Sequence, residues 1–192
     1  MKKRFADAWL LVPILVLASA CSGGEPSSEE ERSYEIPDAL CGVEIDRDLF
    51  DPLFPPGEAI EEDGEFLDAA GDGSFDPALG CHVWVDEISA VAVTAERTRS
   101  EGVAAVIEEL NWEGGSEGSE SLPDGPFEAQ VWSDRAIAYV PCPGDLPDYV
   151  GFGVAIDTTG QEEDHSETLA QVIGPYTEAF LAHMEPGACP GT

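Results

Sequence analysis

Val150, Phe152, Val154 and Ile156 stand at alternate positions of one run, with Tyr149, Gly151, Gly153 and Ala155 between them. Successive side chains of an extended strand point to opposite faces, so this period of two places the four large apolar groups on one side of a sheet. The glycines on the other side predict close approach of another backbone. The same period governs His82 to Asp86, with Val83 and Val85 on one face and His82 and Trp84 on the other. It resumes from Ala90 to Ala95 through Val91, Val93 and Ala95, and Asp86-Glu87 falls between the two runs as the turn of a β-hairpin. Glu128 to Trp132 and Ala136 to Val140 read as two more strands, and a short one is expected around Ala59 to Glu62.

Two segments change to the helical period. Val103, Val106, Ile107 and Leu110 fall at i, i+3, i+4 and i+7, after a Ser100 cap with Glu101 in the first turn. Glu108 and Glu109 lie off that stripe and are expected in solvent. A longer helix begins near Asp164-His165-Ser166-Glu167 and carries Leu169, Val172, Ile173, Tyr176 and Phe180 on one stripe. Pro175 interrupts it without breaking phase, which predicts a kinked but continuous helix. Between Pro37 and Pro56, the cluster Leu49, Phe50, Leu53 and Phe54 reads as one or two helical turns capped by Asp46 or Asp48. Glu113 to Pro126 is low in complexity, apolar only at Leu122, and reads as a loop. The fold class is α+β: an antiparallel sheet of about five to six strands, two main helices packed on one side of it, and two disulfides.

The first residues read as an address. Lys2, Lys3 and Arg4 precede an uncharged run of thirteen residues, Ala8 to Ala20, which is too short for a membrane span of about 20. The run ends Leu17-Ala18-Ser19-Ala20-Cys21 and is followed by Ser22-Gly23-Gly24. This resembles the bacterial lipobox, with Ala18 where that family most often has leucine. The resemblance implies diacylglycerol on the Cys21 thiol, cleavage after Ala20 and acylation of the new terminus. Residues 1–20 are then a lipoprotein signal peptide, 21–35 the lipidated cysteine with a flexible acidic tether, and 36–192 a single extracytoplasmic domain. The implied location is the outer face of the cell membrane. Two acyl chains are the smallest stable anchor, because one alone binds only marginally.

With Cys21 so used, the five cysteines leave Cys41, Cys81, Cys142 and Cys189, an even set suited to an oxidising compartment. Four cysteines allow three pairings. Cys41–Cys81 with Cys142–Cys189 is favoured, since each bond ties an edge segment to a nearby strand. No CxxC or CxxH spacing points to zinc.

Beyond residue 21 there are thirty-nine acids, five arginines and no lysine. Such a chain has no basic patch to neutralise phosphates, which excludes nucleic acid as a partner. Catalytic motifs are scarce. G-x-S-x-G does not occur, and helix capping accounts for His165 beside Ser166. His183 suits the negative end of a helix. Pairs of carboxylates are uninformative in so acidic a sequence. No cofactor is expected and no metal ligand is assigned, although Asp63, Asp68, Asp72 and Asp76 amid glycines in 61–76 raise calcium as an alternative without the spacing of a helix-loop-helix calcium loop. The candidate ligand face is His82, Trp84 and Trp132, with core packing under a second layer as the competing explanation for the same aromatics.

Ile36-Pro37-Asp38-Ala39-Leu40-Cys41-Gly42, then Leu49 to Gly57, then Cys81-His82-Val83-Trp84-Val85-Asp86 resemble small secreted lipoproteins of unknown function from actinobacteria. That resemblance implies an α+β envelope domain with no established activity. The expected role is a non-catalytic accessory or interaction domain with an envelope protein partner. A small-ligand or cation-binding lipoprotein is the alternative.

Overall fold

The computed structural model describes residues 32–64, 79–109, 118–142, 150–158 and 160–184. Strands β1 (Ala39–Leu40) and β2 (Val43–Glu44) form a small hairpin, followed by helix α1 (Arg47–Phe50) and a 3-10 turn (Asp51–Leu53). The strands β3 (Ile60–Asp63), β4 (Leu79–Val85) and β5 (Ile88–Thr98) lead to helix α2 (Val103–Glu109). Then come β6 (Glu120–Leu122), β7 (Glu128–Val131), β8 (Arg135–Pro141), β9 (Gly151–Asp157) and helix α3 (Ser166–His183). Seven strands make one antiparallel sheet in the order β3-β4-β5-β9-β8-β7-β6.

The hairpin read at Asp86-Glu87 is present, with Val83 and Val85 buried and His82 and Trp84 exposed. Asp86 takes a positive φ of 54° and its carboxylate accepts from the Ala59 N–H at 3.0 Å, which ties β3 to the hairpin tip. A β-bulge sets the rest of the register. Val83 faces Val91 but Trp84 faces Ser89, so Ala90 is the extra residue. Two residues opposite one turn to the same side, and Ala90 and Val91 are both fully buried in the same core.

The sheet has seven strands and not five to six, and a second, two-stranded sheet stands beside it. One added strand is β6, inside the stretch read as a loop. Its pairing Leu122↔Ala129 lets Leu122 pack on the core, and one apolar residue in acidic surroundings carries no visible period. The other surprise is β1–β2, whose two-residue turn has φ +58° at Cys41 and +78° at Gly42. Positive φ at both central residues is the twist a tight hairpin needs. Asn-Gly is the usual signal for it, so Cys-Gly gave none.

The helices are not on one side. Leu169, Val172, Ile173, Tyr176 and Phe180 of α3 join one core with Ala136, Ala138, Val140, Val154 and Ile156. Val103, Val106 and Ile107 of α2 join another with Ile137, Tyr139 and Ala155. These are alternate residues of β8 and β9, so the helices cover opposite faces. The unbroken apolar run Ala136 to Val140 is the signature of a strand buried on both sides. Glycine at 151 serves the same layer: a Cβ there would lie 2.6 Å from the Tyr139 ring.

Helix α2 starts at Val103 and Ser100 is not its cap. Gly102 has φ +84°, and the Val103 N–H donates to the Glu128 carboxylate of β7 at 3.3 Å. A carboxylate from a distant strand stabilises the positive helix end as a local cap would. Leu110 lies outside the described residues. Helix α1 is capped by Asp46, whose side chain accepts from the Asp48 N–H. Helix α3 begins at Ser166, whose N–H donates to Asp164, and runs through Pro175.

Among the described residues one disulfide is found, Cys41–Cys81, between the β1–β2 turn and β4. Cys142 is buried after β8, while Cys189, its expected partner, lies outside the described residues.

Tyr176 ties α3 to the small hairpin. Its hydroxyl donates to the Leu40 carbonyl at 3.0 Å and its ring lies 6.0 Å from that of Phe50. Burial pushes its phenol well above the ordinary value near 10. The unfolded chain therefore ionises first, binds fewer protons above pH 10, and gains on the folded state. Stability falls by about 1.4 kcal/mol per pH unit from this group alone. Tyr176→Phe removes that slope. Urea unfolding at pH 9.5 and 11.5 is expected to show the gap between wild type and variant narrowing by about 2 kcal/mol, and a constant gap overturns the assignment.

Candidate functional site

Antiparallel partners share a face, so the register assigns every side chain. Glu61 pairs with Trp84 and Asp63 with His82 across β3 and β4, then His82 with Ala92 on β5 and Ala92 with Asp157 on β9. This is the α2 side of the sheet, but α2 packs on β7 and β8. Over β3, β4 and the start of β5 no described helix covers the face. His82, Glu61 and Asp63 are exposed and Trp84 keeps 36% of its surface. The His82 and Trp84 rings stack with centroids 6.1 Å apart and planes 21° from parallel.

Trp132 shares this face but not this place. It follows β7, four strands from β4, which is roughly 19 Å at the usual strand spacing. It is half-buried against Val103, Ile107 and Ile137, and its N–H donates to the Arg135 carbonyl at 2.8 Å. The expected triad thus divides into an exposed pair, His82 and Trp84, and a packing tryptophan.

The remaining candidates do not converge. His165 is buried and its Nε2 lies 3.1 Å from the Gln161 amide oxygen. His183 is at the far end of the same helix, roughly 27 Å away by helical rise, and both belong to the face opposite His82. Asp68, Asp72 and Asp76 lie outside the described residues, as does Cys21. Asp63 lies on an edge strand opposite His82. No group of three metal-ligating side chains occurs among the described residues.

No family model, no curated protein and no solved structure matches the chain. Its chemistry is therefore read from its own geometry.

Carboxylates surround α2, and among them Glu96 and Glu128 carried no signal in the sequence. Glu109, exposed as expected, also accepts from Thr98 Oγ1 at 2.5 Å and from the Arg99 N–H at 3.2 Å. The Thr98 bond, ahead of the other contacts, holds its carboxyl below the usual range. Burial, and secondarily Glu109, pushes Glu96 up. Burial chiefly, then Glu101 and Glu128, pushes up Tyr139. These bonds fasten α2 to the sheet and leave no shared oxygen cage.

A groove of about 110 Å³ lies on the α3 face between Leu122, Phe127, Ala129, Ile173 and Pro175. Its lining is apolar and its volume is below the roughly 300 Å³ at which small-molecule pockets begin. It suits a single apolar side chain rather than an organic ligand.

Proposed function

We propose that this chain is a lipid-anchored domain of the bacterial cell envelope that acts without catalysis, by engaging an envelope partner through the open half of its sheet. The observation that carries the reading is the exposed His82–Trp84 stack. Large aromatics gain by leaving water, and among the described residues Trp84 and Ile88, at the same end of the β4–β5 hairpin, are the large apolar side chains left exposed. The lipobox-like residues before Cys21 support the anchor and the outer face of the membrane. No described helix is long and apolar enough to cross a membrane. The Cys41–Cys81 bond fits an oxidising compartment. A second bond, Cys142–Cys189, completes the even set. His165 and His183 stand at opposite ends of α3 and His82 on the other face of the sheet, an arrangement that supports binding over acid–base chemistry. The resemblance of Ile36 to Gly42, Leu49 to Gly57 and Cys81 to Asp86 to small actinobacterial lipoproteins supports the same reading.

Photo-crosslinking in intact cells tests this. The chain lacks lysine beyond residue 21, so amine-reactive reagents are unsuited. p-Benzoylphenylalanine at position 84 preserves an aromatic ring there. A discrete protein adduct from position 84, absent from a probe at Glu178 on exposed α3 surface, is expected. Diffuse capture, or identical capture from both positions, overturns the reading.

A further inference from the structure

We propose that the His82–Trp84 stack and its cross-strand carboxylates form a receptor for arginine side chains of a basic peptide segment, an inference that rests on the interaction reading above and names the chemistry of the partner. Three features of the open face converge on it. Trp84 offers an exposed indole, the best of the aromatic rings for attracting a cation over its face. His82 stacks on that indole and fixes its orientation. Glu61 is the direct antiparallel partner of Trp84, and Asp63 of His82, so each ring has a carboxylate as its cross-strand neighbour, with Cβ atoms about 5 Å apart. Neither carboxylate forms an ion pair with a described residue.

This combination matches a guanidinium better than other groups. A guanidinium is planar and weakly hydrated, so it stacks on an indole while its edge presents a fork of N–H donors to a carboxylate. An ammonium is a compact, strongly hydrated point charge that pairs with Glu61 and is attracted to the ring but cannot stack flat on it while forking to a carboxylate. A neutral glycan can stack on Trp84 and donate hydroxyl protons to the carboxylates, yet it leaves their two charges uncompensated. An anionic partner is repelled, both here and by the thirty-nine acids against five arginines beyond residue 21. The same excess draws basic segments toward the domain, while the register of β3 on β4 determines where arginine is held.

The general acidity of the chain is the rival explanation, and the test separates it. The full-length chain in non-ionic detergent is titrated into a fluorescein-labelled peptide alternating arginine and glycine, at about 150 mM salt, where fields decay over about 8 Å. A citrulline-for-arginine peptide keeps the shape and removes the charge. Saturable binding of the arginine peptide and none of the citrulline peptide are expected. Trp84→Ala is expected to weaken binding at least tenfold, Glu61→Gln with Asp63→Asn about fivefold or more, and Trp84→Phe less than threefold. Asp124→Asn with Glu178→Gln removes as much charge at remote exposed sites and is expected to change it less than twofold. All five positions are exposed, and unchanged melting verifies folding. Equal weakening by the remote pair, or binding indifferent to Trp84, overturns the proposal. So does Trp84-dependent binding of an N-acetylglucosamine oligosaccharide with no binding of the peptide. If the peptide fails while position 84 still crosslinks one protein in cells, the arginine chemistry is wrong and the interaction face stands. If both fail, the interaction reading falls with it.

Discussion

Replacing Cys41 and Cys81 together by alanine lowers stability by about 4 kcal/mol. The bond joins positions separated by 40 residues, and closing a loop of that size removes about 13 cal/mol/K of chain entropy from the unfolded state. Both cysteines are fully buried, so loss of the sulfur atoms adds a packing deficit of the same sign. For a domain of this size the melting temperature drops by about 8–16 °C. Dithiothreitol produces a larger loss in the wild type, because it also opens the proposed Cys142–Cys189 bond. The bond also holds Cys41 in a left-handed conformation that costs a non-glycine residue about 1–2 kcal/mol. The small hairpin is then the first region to open, because β1 and β2 have only two residues each and lean on Tyr176 and the disulfide. Hydrogen exchange at Val43 is expected to accelerate more than at Val154 on central β9. A double variant that melts within 3 °C of wild type means the core holds the hairpin unaided.

What was legible in the sequence follows from where the apolar pattern is periodic. Val83, Val85, Val91, Val93, Val154 and Ile156 gave strands and faces because each burial has a nearest neighbour two residues away. Leu169 to Phe180 gave a helix through Pro175 because its stripe never lost phase. What stayed hidden depends on partners distant in sequence. Glu128 capping α2 from β7, and β6 pairing through one apolar residue, have no local signature. The placement of the helices on opposite faces was available in Ala136 to Val140, where a run without polar interruption marks two-sided burial. At the candidate site the shared face of His82 and Trp84 was legible from their period. Separation of Trp132 from them was not, because the last strand in sequence, β9, enters the sheet between β5 and β8, and no local pattern announces that insertion.

Gln161→Ala is expected to cost about 3 kcal/mol, although Gln161 belongs to no helix or strand. Its amide nitrogen donates to the carbonyls of Leu53 and Ala90, each at 2.8 Å. Both residues are fully buried, and Ala90 is the extra residue of the bulge, so its carbonyl is displaced from the regular ladder. The positions of these two acceptors place the nitrogen toward them and the amide oxygen toward His165, whose Nε2 must then be the donor. One side chain thus joins the 3-10 turn, the bulge and the start of α3. Removing it leaves two buried acceptors unpaired at about 1–3 kcal/mol each, offset in part by local relaxation. Gln161→Glu is the sharper variant. It keeps the length and the bond from His165 but presents a carboxylate oxygen to two carbonyl oxygens, so at pH 7 it should be no more stable than the alanine variant. Urea unfolding measures both. If Gln161→Glu equals wild type, the amide is not the donor that holds the bulge, and the bulged register stands on the packing of Ala90 and Val91 alone.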